Sequence, residues 1–254
     1  MKTSPILVTG GTGTLGRHVV PLLRAAGREV RVLNRSGGTS GDGVEYVAVD
    51  LLKGEGVEPA LAGVETVVHL AGGNKGDDTV ARNLVRAAQR AGVRHLVHIS
   101  VIGADTMPLG WFRTQLAAER AITDSGIPWT MLRAAQFHDL VLTMAEKMAK
   151  MPVVPVPGGL RFQPVDSREV AARLAELALG QPAGLVAPLA GPTVYPLGDL
   201  LRDYLEARGK RRPLLPIRMP GKAGRAYRAG ENLALRGNDV GKLTWETFLA
   251  ERVG

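Results

Sequence analysis

The chain has 254 residues, 45% hydrophobic and 22% charged, the balance of a globular protein with one large domain or one domain and an appendage. It contains no cysteine, which excludes disulfides, thiolate nucleophiles and cysteine-held zinc or iron–sulfur centres. The formal net charge of +8 raises an anionic ligand, nucleic acid or a membrane surface as partners, and the placement of that charge decides among them.

Near the N-terminus the only apolar run is Ile6 to Val8. A secretory signal core needs about 7–15 apolar residues and a membrane helix about 20, so a cytoplasmic protein is expected. Ile6 to Thr9 predicts a strand. Thr14 to Ala26 predicts a helix with Leu15, Val19, Leu22 and Leu23 on one face, stopped by Gly27. Glu29 to Leu33 and Val44 to Val49 predict two more strands. Glu65 to Leu70 and His95 to Ile99 are near-continuous apolar strands around a helix over Asp77 to Ala91, for which Asp77 or Asp78 is the expected cap. A helix over Phe112 to Asp124 precedes a strand over Trp129 to Leu132. Apolar strands alternating with helices predict a doubly wound parallel α/β sheet of the Rossmann type.

Residues 1–150 are expected to form this dinucleotide-binding domain, and 151–254 to complete the fold as a small substrate cap. Met151 to Gly159 is too rich in Pro and Gly for a helix. Ser167 to Leu179 and Leu197 to Ala207 predict helices, and Leu243 to Leu249 a last short one packing Trp245 and Phe248. Met144, Met148 and Met151, with Leu140 one turn before, form a stripe that suits core packing or an adaptable apolar wall. Arg208 to Arg228 holds eight basic residues, no acid, three prolines and one aromatic, Tyr227. Nucleic-acid surfaces set basic residues along a helix or among stacking aromatics, so a solvated loop or an anion-attracting lid is expected instead.

Directly after the first strand comes Thr9-Gly10-Gly11-Thr12-Gly13-Thr14-Leu15-Gly16. Gly11, Gly13 and Gly16 satisfy Gly-x-Gly-x-x-Gly, and Gly10, Gly13 and Gly16 satisfy Gly-x-x-Gly-x-x-Gly. Such a turn lets a pyrophosphate approach the backbone at a helix N-terminus. A strand before it and a helix after it give the motif its required context. An NAD-preferring site places Asp or Glu at the end of the second strand, where this chain has Asn34-Arg35-Ser36. Arg35 suits a 2′-phosphate, so NADP(H) is the expected cofactor.

The glycine loop, Asn34-Arg35, Val49-Asp50-Leu51 and His69-Leu70-Ala71-Gly72 resemble the atypical short-chain dehydrogenase/reductases. His98-Ile99-Ser100, Pro128 to Arg133 and Gln136-Phe137-His138 are similar, more narrowly, to the NmrA-like NAD(P)H-binding subgroup. The resemblance implies that Asp50 and Leu51 flank the adenine, that Leu70 and Ala71 pass beneath the cofactor's ribose, and that Gly72 also belongs to the cofactor site. It implies that Ser100 ends the strand bearing the catalytic serine of active reductases, and that Gln136 and Phe137 border the nicotinamide.

That family's proton donor is a Tyr with a Lys four residues later. The matching residues here are Trp111 and Gln115, and neither is a practical acid. Two functions stay open. One is hydride transfer to a quinone or conjugated carbonyl, which needs less help from an acid, with Trp111, Phe112, Phe137 and His138 lining the acceptor pocket. The other is a non-catalytic NADP(H)-binding sensor acting through a protein partner. The five histidines show no metal spacing, and among them only His138 has a site-like address.

Overall fold

The computed structural model describes residues 4–73 and 76–253. The first residues of the N-terminal segment considered above, Met1 to Thr3, lie outside them. In chain order the strands and helices are β1 (Ile6–Thr9), α1 (Gly16–Ala25), β2 (Val30–Asn34), β3 (Val44–Ala48), α2 (Val57–Ala60), β4 (Thr66–His69), α3 (Asp77–Ala91), β5 (His95–Val101) and α4 (Gly110–Thr123). There follow β6 (Trp129–Ala134), α5 (His138–Met148), β7 (Val154–Pro157), β8 (Arg161–Phe162), α6 (Ser167–Leu179), β9 (Gly184–Leu185) and β10 (Leu189–Ala190). The chain ends with β11 (Tyr195–Pro196), α7 (Leu197–Ala207), β12 (Leu214–Ile217), α8 (Gly221–Ala229), β13 (Asp239–Val240) and α9 (Trp245–Val253). Among the described residues no helix is long and apolar enough to cross a membrane.

The described residues fall into two compact units. The first comprises Met1–Ser100, Arg113–Leu132 and Val170–Val186, the second Val101–Phe112, Arg133–Glu169 and Ala187–Gly254. Segments far apart in the chain join each unit because parallel strands must be connected by crossovers that return to the same sheet.

The first unit is a Rossmann-like α/β fold. Its sheet runs β3-β2-β1-β4-β5-β6, with parallel pairing from β3 through β5. Its core joins Leu7, Leu33 and Val67 from strands to Leu84, Val85 and Ala88 of α3 and Ile122 of α4. Helix α3 has the expected bounds, yet neither aspartate caps it: Gly76, with φ 84°, is the N-cap, and Asp77 turns inward. On α1 the inward face is Gly16, Val19, Val20 and Leu23, at i, i+3, i+4 and i+7. Leu22, expected on that face, is 39% exposed because it falls one residue off the stripe.

The second unit packs α5, α7 and α9 around Leu200, Leu201, Tyr204, Trp245 and Phe248. Met144 and Met148 lie partly buried against this core while Leu140 is exposed, so the two methionines serve packing. The segment Arg208 to Arg228 is not a loop. Its residues 214–217 form β12 beside β7, and Pro220 is the N-cap of α8. The prolines sit where an edge strand and a helix start tolerate them, and the charges point outward between them.

Candidate dinucleotide site

The turn from β1 to α1 is built by backbone constraints that only glycine meets. Gly10 has φ +68°, and a Cβ there would lie 2.8 Å from the Ala71 amide nitrogen. A Cβ at Gly16 would lie 2.3 Å from both the Gly10 carbonyl oxygen and the Gly11 Cα, so helix and loop touch backbone to backbone. Between them Thr12, Gly13 and Thr14 are exposed. Leu15, the N-cap, makes no side-chain cap bond, and the first turn of α1 carries no acidic residue. The first amides of a helix have no intrahelical acceptor, so this end offers N–H groups and positive dipole to an anion.

Thr9, read from the sequence only as the last residue of a strand, organises the neighbouring loop. Its hydroxyl accepts from the Leu70 and Ala71 amides, each at 3.2 Å, and lies 2.7 Å from His69 Nδ1. With both lone pairs used, the hydroxyl donates to Nδ1, which leaves the His69 proton on Nε2. A polar residue ending an apolar strand before a glycine loop is the only signal the sequence offers for this role.

At the end of β2, Asn34 Oδ1 accepts from the Ser36 amide at 3.1 Å and fixes the turn, while Arg35 is exposed and has no ion-pair partner among the described residues. The Val49 amide donates to the Asn34 carbonyl at 2.7 Å, which brings the residues after β3 alongside. Asp50 Oδ1 accepts from the Leu52 amide at 3.0 Å, and Leu51 is buried with its carbonyl held by Asn83. At the end of β5, the buried Ser100 donates its hydroxyl proton to the buried Glu119 carboxylate, a partner the sequence did not suggest. Gln115 is 8% exposed and donates from Nε2 to Asp77 Oδ2. The expected cofactor residues Gly10, Thr12 to Gly16, Asn34, Arg35, Asp50, Leu51, Leu70 to Gly72, Ser100 and Gln115 thus all belong to the first unit, at or just beyond the carboxyl ends of its strands, at the start of α1 or on α4.

His69 and His98 stack with ring centroids 5.0 Å apart. Burial drives both below the ordinary imidazole range, and the neighbouring ring adds to it at His69. His98 is lowered to about 4, burial outweighing the upward pull of Glu119 and of the His69 carbonyl. A histidine whose folded pKa is depressed binds its proton more readily in the unfolded chain. Stability is therefore complete above about pH 6.5 and falls as acid is added, by about 1 kcal/mol per pH unit per histidine until the folded pKa is reached. Urea unfolding at pH 7.5 and 5.5 checks this: a lower midpoint at pH 5.5 is expected, and an equal or higher one would refute the assignment.

In the second unit, Trp111 is 42% exposed and meets the Phe112 ring edge-on at 5.0 Å. Phe112 is buried with Val101, Ala104, Met107 and Ala226, which makes it a support and not a pocket surface. Gln136 and Phe137 are half-buried, and the buried Gln136 Oε1 has no hydrogen-bond partner among the described residues. His138 departs from the expectation of an acceptor-lining residue and proton donor. It is fully buried beside Trp245 and Phe248, with Nδ1 3.9 Å from the buried Asp166 carboxylate, and burial holds its pKa low against the upward pull of Asp166 and Asp139.

Strand order 3-2-1-4-5-6 with a glycine-rich turn after the first strand defines a dinucleotide-binding Rossmann unit, whose ligands lie at the switch between β1 and β4. Residues 10–177, more than half of the chain, match the family described as NAD(P)H-binding, and the chain belongs to that family. A (4-alkanoyl-5-oxo-2,5-dihydrofuran-3-yl)methyl phosphate reductase of Streptomyces griseus is 36% identical over 173 residues, which are 66% of this chain and only 60% of that relative. Quinone oxidoreductase 2 of Escherichia coli is 27% identical over 214 residues, 81% of this chain and 75% of that one. The solved structure of the NADPH-dependent quinone oxidoreductase of Escherichia coli with NADPH superposes with a TM-score of 0.78 at 21% identity, covering 97% of this chain and 99% of that chain.

Proposed function

We propose that the protein is an NADPH-dependent reductase of small, flat, activated acceptors of the quinone or conjugated-carbonyl class. What supports this is the Ser100 hydroxyl bonded to Glu119, together with the reading, implied by the family resemblance, that no acid stands where carbonyl reductases have one. By that resemblance Trp111 and Gln115 take the Tyr and Lys positions, and the Ser100 hydroxyl donates to Glu119. A quinone needs no such acid, because its reduced anion is stabilised and solvent can protonate it. Among the relatives are proteins named a (4-alkanoyl-5-oxo-2,5-dihydrofuran-3-yl)methyl phosphate reductase, a quinone oxidoreductase and an NAD(P)H azoreductase.

In this reading Gly10 to Gly16 hold the pyrophosphate, with the α1 N-terminus favouring its charge. Arg35 pairs with the 2′-phosphate, Asp50 and Leu51 flank the adenine, and Leu70, Ala71 and Gly72 run along the ribose. Ser100 and Gln115 belong to the nicotinamide end. Bound NADPH supplies the hydride, and the chain supplies position and exclusion of water. Trp111, Gln136 and Phe137 contact the acceptor, Trp111 by stacking on a flat ring. Phe112 supports Trp111, and His138 keeps a packing role.

The same lack of an acid favours a second reading, a non-catalytic NADP(H) sensor. Anaerobic incubation with NADPH and a naphthoquinone separates the two. Consumption of both in equal amounts supports the reductase, whereas tight NADPH binding without consumption of any quinone or azo acceptor supports the sensor.

A further inference from the structure

The first unit contains a buried amide–carboxylate pair, one oxygen of which accepts no hydrogen bond among the described residues. Asp77 and Gln115 are 6% and 8% exposed. Asp77 Oδ1 accepts from the Gly73 amide at 2.8 Å, and Oδ2 accepts from Gln115 Nε2. An ionised carboxylate only accepts, so the Gln115 amide has one permitted orientation, nitrogen toward Asp77 and oxygen away. That oxygen, Oε1, accepts no hydrogen bond among the described residues. The loop carrying Gly73 continues back through Gly72 to Ala71, whose amide nitrogen lies under Gly10 of the phosphate turn. A continuous stretch of one unit therefore leads from the pyrophosphate position to the Gln115 amide.

We infer that Asp77 is a positioning residue: it locks the Gln115 amide so that Oε1 presents a fixed acceptor to a ribose hydroxyl on the nicotinamide side of the dinucleotide. Lysine at that position would offer only donors, whereas the Asp77–Gln115 pair offers an acceptor without a net positive charge. The inference rests on the cofactor reading above and adds to it a residue, Asp77, that no motif singles out. Asp77 is held above the usual carboxylate range, first by burial, while the Gly73 amide and Gln115 pull it back down. The two hydrogen bonds thus serve to keep the buried group ionised.

Calorimetric titration of the full chain with NADPH, and with adenosine 2′,5′-bisphosphate, which lacks the nicotinamide ribose, tests this. Gln115→Ala is expected to weaken NADPH by about five- to tenfold, the worth of one hydrogen bond, and to leave the bisphosphate within about twofold. Gln115→Glu sets two carboxylates face to face, so its NADPH affinity is expected to fall further at pH 8 than at pH 6. The exchanged pair Asp77→Asn with Gln115→Glu conserves charge and restores a donor facing an acceptor. It is expected to bind NADPH within about twofold of the parent at both pH values while the bisphosphate stays within about twofold in every variant, a selectivity for the nicotinamide side that a merely structural role would not produce. Unchanged NADPH affinity in Gln115→Ala, or an exchanged pair no better than Gln115→Glu alone, would overturn the inference. Failure of the parent to bind either ligand would remove the cofactor reading itself, a separate outcome.

Discussion

Gly16→Ala is expected to weaken NADPH binding by about a hundredfold and to lower the stability of the first unit by about 1–3 kcal/mol. The added Cβ would fall 2.3 Å from the Gly10 carbonyl oxygen and from the Gly11 Cα, and 2.4 Å from the Gly11 carbonyl carbon. All three are backbone atoms, so no side chain can swing aside, and the phosphate turn itself must move. The amides that would meet the pyrophosphate move with it. Gly13→Ala is the informative comparison, because its Cβ meets only the Gly10 oxygen, at 3.2 Å. Calorimetry and urea unfolding on both variants should rank Gly16→Ala well below Gly13→Ala. Equal effects would mean that close packing of loop against helix does not shape the site.

Arg35→Ala is expected to weaken NADPH by about ten- to a hundredfold while NADH changes by less than about twofold. A charge-assisted hydrogen bond is worth about 1.5–3 kcal/mol, and in the proposed reading the guanidinium would meet a phosphate that only NADPH carries. Arg35 is exposed and has no ion-pair partner among the described residues, so it brings no internal ion pair that the substitution would break. Its turn is fixed independently by the Asn34–Ser36 hydrogen bond, which the substitution leaves in place. Fluorescence titration with both nucleotides measures the ratio. Equal losses for the two would remove Arg35 from the 2′-phosphate.

The sequence made the frame of the first unit legible because its signals are local. The apolar runs at Ile6 to Thr9 and His95 to Ile99, the period of α3 and the glycine spacing each describe a few adjacent residues. Polar partnerships were not legible, because each joins residues the fold alone brings together. Thr9 meets His69 and Ala71 only once β1 lies beside β4, and Asp77 meets Gln115 across 38 positions. Asp77 looked like a helix cap because aspartate at a helix start usually is one. Gly76 in the left-handed region took that place and freed the carboxylate to turn inward. Residues 208–228 looked like a loop for a similar reason: Leu214 to Ile217 becomes a strand only by pairing with Val154 to Pro157. His138 adjoined a family motif in the sequence, and only the packing of Trp245 and Phe248 against its ring places it in a core.

The central claim is that this chain donates NADPH-derived hydride without a protein acid, and NADPH consumption with two acceptors of matched size tests it most directly. One acceptor is a naphthoquinone, the other an unactivated bicyclic ketone. Steady anaerobic consumption is expected with the quinone and none above background with the ketone. Comparable rates for both would contradict it, since reduction of the ketone requires a proton donor that Trp111, Gln115 and the Glu119-bound Ser100 do not provide.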